Sequence, residues 1–564
     1  MSKLKLIQLL LIASFFTNSF AQDAPGENNW DKNLEGKIIN SIFLKTLNVA
    51  GESVDGTISS DSTWINNLAN SFHYKTRNWV IRERLLFSKG EKLNYRTIYE
   101  TERLLRSSNL FLDVKINVFP SPVFRDEVEV VVITKDKWTL TYLASYKPGD
   151  KSGYLGLKDN NFVGLGHSAN AVITYNNDPS IGWGGKIGYT AANIKGSYTD
   201  AHLNFEANKK YDIKSIGLTK PFITYETEWI AGFELKWERN TYEAYNENDE
   251  LISLPLKKKI QDLWVGRAFP INISNGFKKS NSNLITSLRI LSLNHSERPY
   301  NPMQFRIFEN STMLLLGIGL VSRSFYKDKF VQQFGTTEDI PVGGMINLST
   351  GPEKRELSDR WYFGLETVYS NWYDDYGYFS GRVGIGVFRG KNKWEQTTYR
   401  LNLLYNTYLY KWEIWKYRIF MNYDLMLGYN RISGEQTYLY SGIGLRGINK
   451  TSVAGTKRLV SNLEARIFSP YELLGFVIGG VAFTDFGLIA ESNRGFLSSR
   501  FYQGYGAGIR IKNESIISAA FELIFVFNPY NPQNKGAAFS VLLSTNFAIG
   551  IRDIGYSKPF VESF

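Results

Sequence analysis

The sequence of 564 residues contains no cysteine, which excludes disulfides, thiolate metal sites and a lipid-carrying N-terminal cysteine. Beyond its first residues it also lacks an apolar stretch long enough for a transmembrane helix. The histidines are few and show no metal-ligand spacing: His73, His167, His202 and His295. No glycine-rich phosphate loop leads from a strand into a helix. We therefore expect no metal, no cofactor and no enzymatic activity, with an outer-membrane hydrolase as the alternative.

The N-terminus has the pattern of an export signal. Two lysines precede an apolar run over residues 6–16, and the small residues Ser19 and Ala21 follow. This pattern predicts a secretory signal peptide over residues 1–21 and a linker over residues 22–36. Cleavage would remove two lysines and no acid, lowering the formal charge from +11 to +9. Because the basic residues are spread along an exported chain, nucleic acid is not an expected partner.

Most of the chain alternates with a period of two. From about residue 139 to 547, apolar and aromatic residues occupy one parity and small or polar residues the other, as in Ala171, Ile173 and Tyr175 against Asn170 and Thr174. Aromatic residues bracket many of these segments, which is typical of the interfacial girdles of a membrane barrel. The sequence thus predicts a mainly β fold, with a transmembrane antiparallel β-barrel over residues 137–547. Segmentation allows up to twenty strands.

Residues 37–136 have a different texture, typical of a small soluble domain. Residues 38–49 form a strand candidate, and residues 79–87 and 96–106 are helix candidates. In the second helix we expect Glu102, Arg103 and Arg106 to lie largely outside. Two further strands are predicted over residues 114–119 and 127–133, giving the order β-α-α-β-β.

Two motifs in the N-terminal half resemble a known family. The string from Leu104 to Val114, with Asn109 and Asp113, looks like a polypeptide-transport-associated (POTRA) domain. Such domains hang in the periplasm from barrels of the BamA/TamA superfamily. A second string is similar to the hairpin between early strands of that family, and its key residues are Asn161, Gly164 and Gly166. The resemblance implies sixteen barrel strands, one periplasmic domain and a place in the outer membrane of a Gram-negative cell.

A third match lies near residue 446. Arg446-Gly447 resembles the tip of a long loop that folds into the lumen of these barrels, and the resemblance pairs Arg446 with Glu464 and Asp485, the latter close to Gly487. A guanidinium presents a planar fork that suits two carboxylates, and Gly447 would let the backbone pass close to the wall. Alternation places Glu464 in the lumen and leaves Asp485 ambiguous. The simpler alternative is that these are ordinary loop and lumen charges.

The resemblance implies an outer-membrane assembly or translocation factor that works by strand augmentation. Its expected partners are unfolded outer-membrane or secreted proteins, lipid and lipopolysaccharide, and periplasmic accessory proteins. The chain departs from the family in having room for one periplasmic domain and in a tail over residues 548–564. This tail either folds back into the lumen or lies in the periplasm. A dedicated secretion barrel and a passive pore remain the alternative functions.

Overall fold

The computed structural model describes most of the chain beyond residue 30. The described residues are 31–56, 67, 70–71, 73–147, 151–245, 251–274, 279–298, 306–432, 435–448, 453–473, 476–491, 494–513, 521–544 and 549–562. The predicted signal peptide and most of the predicted linker lie outside them.

In its described elements, the N-terminal unit is a three-stranded sheet packed with two helices. Its elements are β1 (Ile38–Leu47), α1 (Asn78–Arg82), α2 (Tyr95–Ser107), β2 (Phe111–Pro120) and β3 (Glu127–Asp136). β3 lies in the middle, parallel to β1 and antiparallel to β2, so β2 is an edge strand. This order is the predicted β-α-α-β-β order.

The first helix is shorter than predicted, because it ends at Arg82 and not at residue 87. The carbonyl oxygens of Glu83 and Arg84 accept hydrogen bonds from Asn193 and Tyr198 of the barrel. Because these carbonyl oxygens bond to the barrel, they do not accept the backbone hydrogen bonds that would continue the helix. Among the described residues, no helix is long and apolar enough to cross a bilayer.

The second helix buries two faces. Ile98 and Leu105 pack into the core of the N-terminal unit. The prediction that the charged face lies outside is wrong, because Glu102 and Arg103 are only 3 % and 5 % exposed and the Arg106 side chain only 5 %. This second face packs on the barrel, where charged partners replace water.

The remaining strands form one closed ring. Their bounds are β4 (Leu140–Lys147), β5 (Ser152–Asp159), β6 (Ser168–Asn176), β7 (Trp183–Ala191), β8 (Asp200–Ala207), β9 (Asp212–Lys220), β10 (Trp229–Tyr245), β11 (Leu251–Ser274), β12 (Lys279–Glu297), β13 (Ser311–Asp328), β14 (Glu338–Arg355), β15 (Arg360–Tyr373), β16 (Gly377–Arg389), β17 (Trp394–Asn406), β18 (Tyr410–Trp412), β19 (Trp415–Tyr429), β22 (Lys457–Leu473), β23 (Phe476–Ala490), β24 (Phe501–Asn513), β25 (Phe521–Asn531) and β26 (Gly536–Ser544). A separate hairpin, β20 (Thr437–Tyr438) and β21 (Ala454–Gly455), lies in the long segment between β19 and β22.

Each long strand is antiparallel to its neighbours, and the ring closes where β26 adjoins β4. Among the described residues the ring has 21 strand segments, of which β18 has three residues and lies beside β19. Because β17 pairs directly with β19, twenty strands make up the wall. The ring thus exceeds the sixteen strands that the resemblance implies and matches the upper end of the segmentation. The first and last strands of the barrel are therefore neighbours.

The outer face of the ring is apolar. On β13, Leu314, Leu316 and Ile318 are 44 %, 50 % and 46 % exposed, whereas Leu315 between them is fully buried. Exposed aromatic residues lie near the strand ends, including Trp183, Tyr376 and Trp412. An apolar band of this extent is unfavourable in water and suits hydrocarbon, where a closed sheet satisfies its own backbone groups. The ring is therefore a membrane barrel.

The C-terminal tail lies inside the barrel. Residues 549–562 have no regular secondary structure, and Ile554 and Tyr556 are 0 % and 2 % exposed. They pack with inward-facing side chains such as Trp264 and Val321. Of the two predicted positions for the tail, the lumen is the one that the tail occupies in the structure.

Candidate functional site

Arg446, Glu464 and Asp485 meet inside the barrel. Arg446 donates from Nε and Nη2 to the two oxygens of Asp485, at 2.8 and 2.7 Å. Its Nη1 donates to Glu464 Oε2 at 2.8 Å. One guanidinium therefore bridges carboxylates on the neighbouring strands β22 and β23. We call these three residues the loop lock.

The loop lock is shielded from water. Arg446, Glu464 and Asp485 are 5 %, 3 % and 0 % exposed. The guanidinium carbon lies 3.3 Å from the centre of the Phe483 ring, a stacking arrangement that favours arginine over lysine. Phe483 and Asp485 thus both face inward, which resolves the ambiguous parity of Asp485.

The register of the two strands aligns the carboxylates. Asn462 lies opposite Asp485, and Glu464 lies opposite Phe483. Asn462 donates to Asp485 Oδ1 at 2.7 Å and to the carbonyl of Gly444 at 2.5 Å. Asn462 therefore ties the same carboxylate to the loop backbone.

Two predicted glycines provide room for the loop. Gly447 has a φ of +87°, and a Cβ there would lie 2.1 Å from Oδ1 of Asn528. A Cβ at Gly487 would lie 2.8 Å from the side chain of Leu439, a buried residue of the loop. The close approach predicted for Gly447 is present, and Gly487 serves the same purpose on the wall.

Three supporting residues had no assigned role in the sequence analysis. Asn528 and Asn531 of β25 donate to the carbonyls of Arg446 and Gly447, at 3.0 and 3.1 Å. Arg466 donates to Glu464 at 2.7 Å and to the carbonyls of Val331 and Ile549, both at 2.9 Å. Arg466 thus connects the loop lock with the C-terminal tail. In the sequence these three residues are marked only as polar residues at positions that should face the lumen, and many other residues fit that description.

The hairpin motif of the early strands contacts the N-terminal unit. Asn161 is buried and donates to Thr76 Oγ1 at 2.9 Å, while its own Oδ1 accepts from the backbone of Gly166 at 2.8 Å. Gly164 and Gly166 have φ values of +71° and +67°. A Cβ on Gly164 would lie 2.4 Å from the carbonyl of Lys75. The motif therefore holds the segment that leads into α1.

The next turn repeats this arrangement. Asn193 donates to the carbonyl of Glu83 at 3.0 Å, and its Oδ1 accepts from the backbone of Tyr198 at 2.8 Å. The Tyr198 hydroxyl donates to the carbonyl of Arg84 at 2.8 Å. Burial raises the pKa of Tyr198 to about 12, so the hydroxyl keeps its proton. The shared Asn-x-x-Gly pattern, at 161–164 and 193–196, could have been found by internal comparison.

The charged face of α2 binds the opposite side of the barrel rim. Arg106 makes two 2.9 Å hydrogen bonds to Asp339 at the start of β14 and one of 2.6 Å to Glu102. Glu102 also pairs with Lys327 at 3.0 Å. Burial alone would lower the pKa of Arg106. The hydrogen bonds and negative charges of Asp339 and Glu102 outweigh burial and raise this pKa. The ion pair is therefore stable across the physiological pH range.

The remaining residues of the predicted periplasmic motif are structural. Asn109 has a φ of +61° in the turn between α2 and β2. Asp113 accepts from the backbone of Val114 at 2.8 Å, and Val114 is buried in the core. Burial raises the pKa of Asp113.

A cavity of about 660 Å³ lies between the N-terminal unit and the barrel. Arg84 and Arg103 line it from the N-terminal unit, and Arg323 lines it from the barrel with Phe222. The tail residue Asp553 reaches the same space and pairs with Arg323 at 2.7 Å. The space at the entrance to the lumen is therefore open and of mixed charge, because three arginines and four acidic residues line it: Arg84, Arg103, Arg323, Asp200, Glu338, Asp339 and Asp553.

Comparisons with known proteins find low similarity. No family model matches the sequence, and no curated protein matches it. Among solved structures, BamA from Haemophilus ducreyi lacking POTRA domains 1–3 is 13 % identical with a TM-score of 0.38, over 89 % of this chain and 84 % of that chain. CdiB from Acinetobacter baumannii is 11 % identical with a TM-score of 0.43, over 96 % and 97 %. CdiB from Escherichia coli is 10 % identical with a TM-score of 0.38, over 96 % of each chain.

Proposed function

We propose that this chain is an outer-membrane assembly or translocation factor of the BamA/TamA type. The observation that carries the proposal is the loop lock. In it, Arg446 holds the long loop between β19 and β22 inside a barrel that closes between its first and last strands. A passive barrel requires neither a buried arginine that bridges two carboxylates nor a domain bound over its entrance.

The mechanism follows from the cost of unpaired backbone. A strand that enters hydrocarbon with free N–H and C=O groups faces several kilocalories per group. An exposed strand edge removes much of this barrier by pairing with the client. In this chain the edge would be supplied at the seam between β26 and β4, and the free energy would come from folding of the client. No nucleotide is required.

The loop lock acts on the wall beside this seam. Arg446 and Gly447 are bonded to β22, β23 and β25, and β25 pairs with β26. The loop thus fixes the curvature of the strands that precede the seam. Loosening the loop should disorder that edge and slow pairing with a client.

The N-terminal unit would deliver the client to the barrel. β2 is an edge strand of its sheet, and α2 bonds its backbone at Val114 and Ile116, so a client would add to the later residues of the strand. The residues that flank α1 hold the unit at the barrel entrance through Asn161 and Asn193, and α2 does so through Arg106. An extended client that adds to β2 is therefore held close to the lumen and the seam.

A reconstitution experiment tests this function. The purified chain is placed in liposomes, a urea-unfolded eight-stranded outer-membrane barrel is added, and folding of the client is followed by its altered gel mobility. The wild-type chain should accelerate folding over empty liposomes, and Arg446→Ala should lose most of that acceleration. Arg494→Ala is the matched control, since Arg494 also precedes a glycine but lies exposed.

The outcomes separate the alternatives. No acceleration by the wild-type chain would contradict a general insertase and favour a dedicated secretion barrel for one partner protein. Equal acceleration by wild type and Arg446→Ala would remove the loop lock from the mechanism. A passive pore is disfavoured because the loop and the tail both occupy the lumen.

A further inference from the structure

The C-terminal tail is held by its backbone along the inner face of β11 to β17, which we call the tail groove. Arg289 donates to the carbonyl of Pro559 at 2.9 Å. The backbone N–H of Phe560 donates to Ser349 Oγ at 3.0 Å, and that of Glu562 donates to the Tyr362 hydroxyl at 2.9 Å. Because these partners are side chains, the tail is bound as an extended peptide and not as a strand.

The groove is shaped to one tail side chain. A Cβ on Gly317 or Gly319 would lie 2.4 or 2.5 Å from atoms of Tyr556. The Tyr556 hydroxyl also hydrogen-bonds Ser287. The bare glycine backbone therefore forms a pocket for an aromatic ring.

The far end of the groove receives a carboxylate. Glu562 pairs with Arg382 and Arg400, each at 2.9 Å, and is 5 % exposed. A Cβ on Gly384 or Gly386 would collide with it. This pocket therefore selects an acidic side chain through charge and through shape.

Other tail charges are also matched. Lys558 pairs with Asp262 at 2.6 Å, and Asp553 pairs with Arg323 at 2.7 Å. If the tail left, Arg323, Arg382 and Arg400 would lose the carboxylates that the tail supplies. The empty groove would then offer these arginines, beside Asp262 and Glu366 of the wall, to another peptide.

We propose that the tail groove is a peptide-binding site that the chain's own residues 549–562 occupy reversibly. Its ligands are extended peptides with an aromatic residue and, six residues later, an acidic one, in the positions of Tyr556 and Glu562. The tail acts as an intramolecular ligand: it occupies the lumen when no other peptide is bound, and it leaves the groove when another peptide enters. This site is independent of whether the chain inserts or secretes its clients.

The first test measures release of the tail in the full chain. Because the chain has no cysteine, Ile554→Cys provides one thiol that a bulky maleimide reaches only when the tail leaves. Adding Glu562→Gln should accelerate labelling at least about tenfold, because it weakens charge-assisted hydrogen bonds. Glu238→Gln, which weakens an ion pair with Lys258 that involves no tail residue, should leave the rate unchanged.

A second reporter separates tail release from general loosening. Val481→Cys carries a thiol on the inner wall in a cluster that contains no tail residue. In the Glu562→Gln background its labelling should stay at the wild-type rate. Equal acceleration of both reporters, or of neither while denatured protein labels fully, would show that the tail is a permanent part of the core.

The last measurement tests recognition directly. The bulky adduct on Ile554→Cys prevents the tail from returning and leaves the groove empty in a full chain. A fluorescent peptide with the sequence of residues 549–564 should bind this labelled chain and not the unlabelled chain. The same peptide with Glu562→Gln should bind at least about tenfold more weakly. Equal binding of both peptides, or no binding of either, would overturn the proposal.

Discussion

Removal of the Arg446 side chain should release the loop from the lumen. The side chain makes three hydrogen bonds of 2.7–2.8 Å to carboxylates that are almost fully buried. Breaking one partner of such a network costs about 3–5 kcal/mol, because it leaves uncompensated buried charge. The lower end of this range applies here, because Glu464 retains its hydrogen bond from Arg466 and Asp485 retains its hydrogen bond from Asn462. About 3 kcal/mol corresponds to roughly a 100-fold increase in the open population of the loop.

Hydrogen-exchange mass spectrometry of residues 437–448 measures this population. The backbone N–H groups of Ser441, Leu445 and Gly447 are bonded within the loop and report its opening. Their exchange should accelerate roughly 100-fold in Arg446→Ala. In Arg446→Lys it should accelerate about tenfold, because a point charge replaces the fork. Unchanged exchange in Arg446→Ala would refute the reasoning, and equal acceleration in Arg494→Ala would show that the effect is not specific.

Further predictions concern the docking of the N-terminal unit, the loop glycine and the lumen. A double-mutant cycle of Arg106→Ala and Asp339→Ala, read from exchange of α2, should show a coupling of about 1–3 kcal/mol; additive effects would contradict the buried pair. Gly447→Ala should weaken protection of the loop, since a Cβ would lie 2.1 Å from an oxygen, whereas Gly495→Ala, with nothing within 4 Å, should not. In planar bilayers the wild-type barrel should show no steady open conductance, and a constant open state would contradict a filled lumen.

The architecture was predictable because two different environments mark a barrel strand. Apolar residues such as Ile173 and Tyr175 alternate with polar residues such as Thr174, which predicts that the first set faces lipid and the second the lumen. In the structure Ile173 and Tyr175 are exposed on the outside of the barrel. The strand number was not predictable, since turns such as the one after β17 carry no distinctive signal. The loop lock could be anticipated only through the resemblance, because Arg389-Gly390 and Arg494-Gly495 look like Arg446-Gly447 in sequence.

The charged face of α2 shows where pattern reasoning fails. Glu102 and Arg106 read as a solvated face, because charge on an amphipathic helix usually indicates exposure. Their partners, Lys327 and Asp339, are more than 200 residues away in sequence, so no local pattern reveals the contact. The tail was ambiguous for the same reason, since the pocket that receives Tyr556 is built from glycines on β13.

The most direct test of the central claim is quantitative proteomics of the outer membrane after depletion of this chain. The proposed assembly function predicts a broad loss of β-barrel proteins, restored by the wild-type chain and not by Arg446→Ala. Loss of a single secreted partner, or no change in outer-membrane composition, would contradict it.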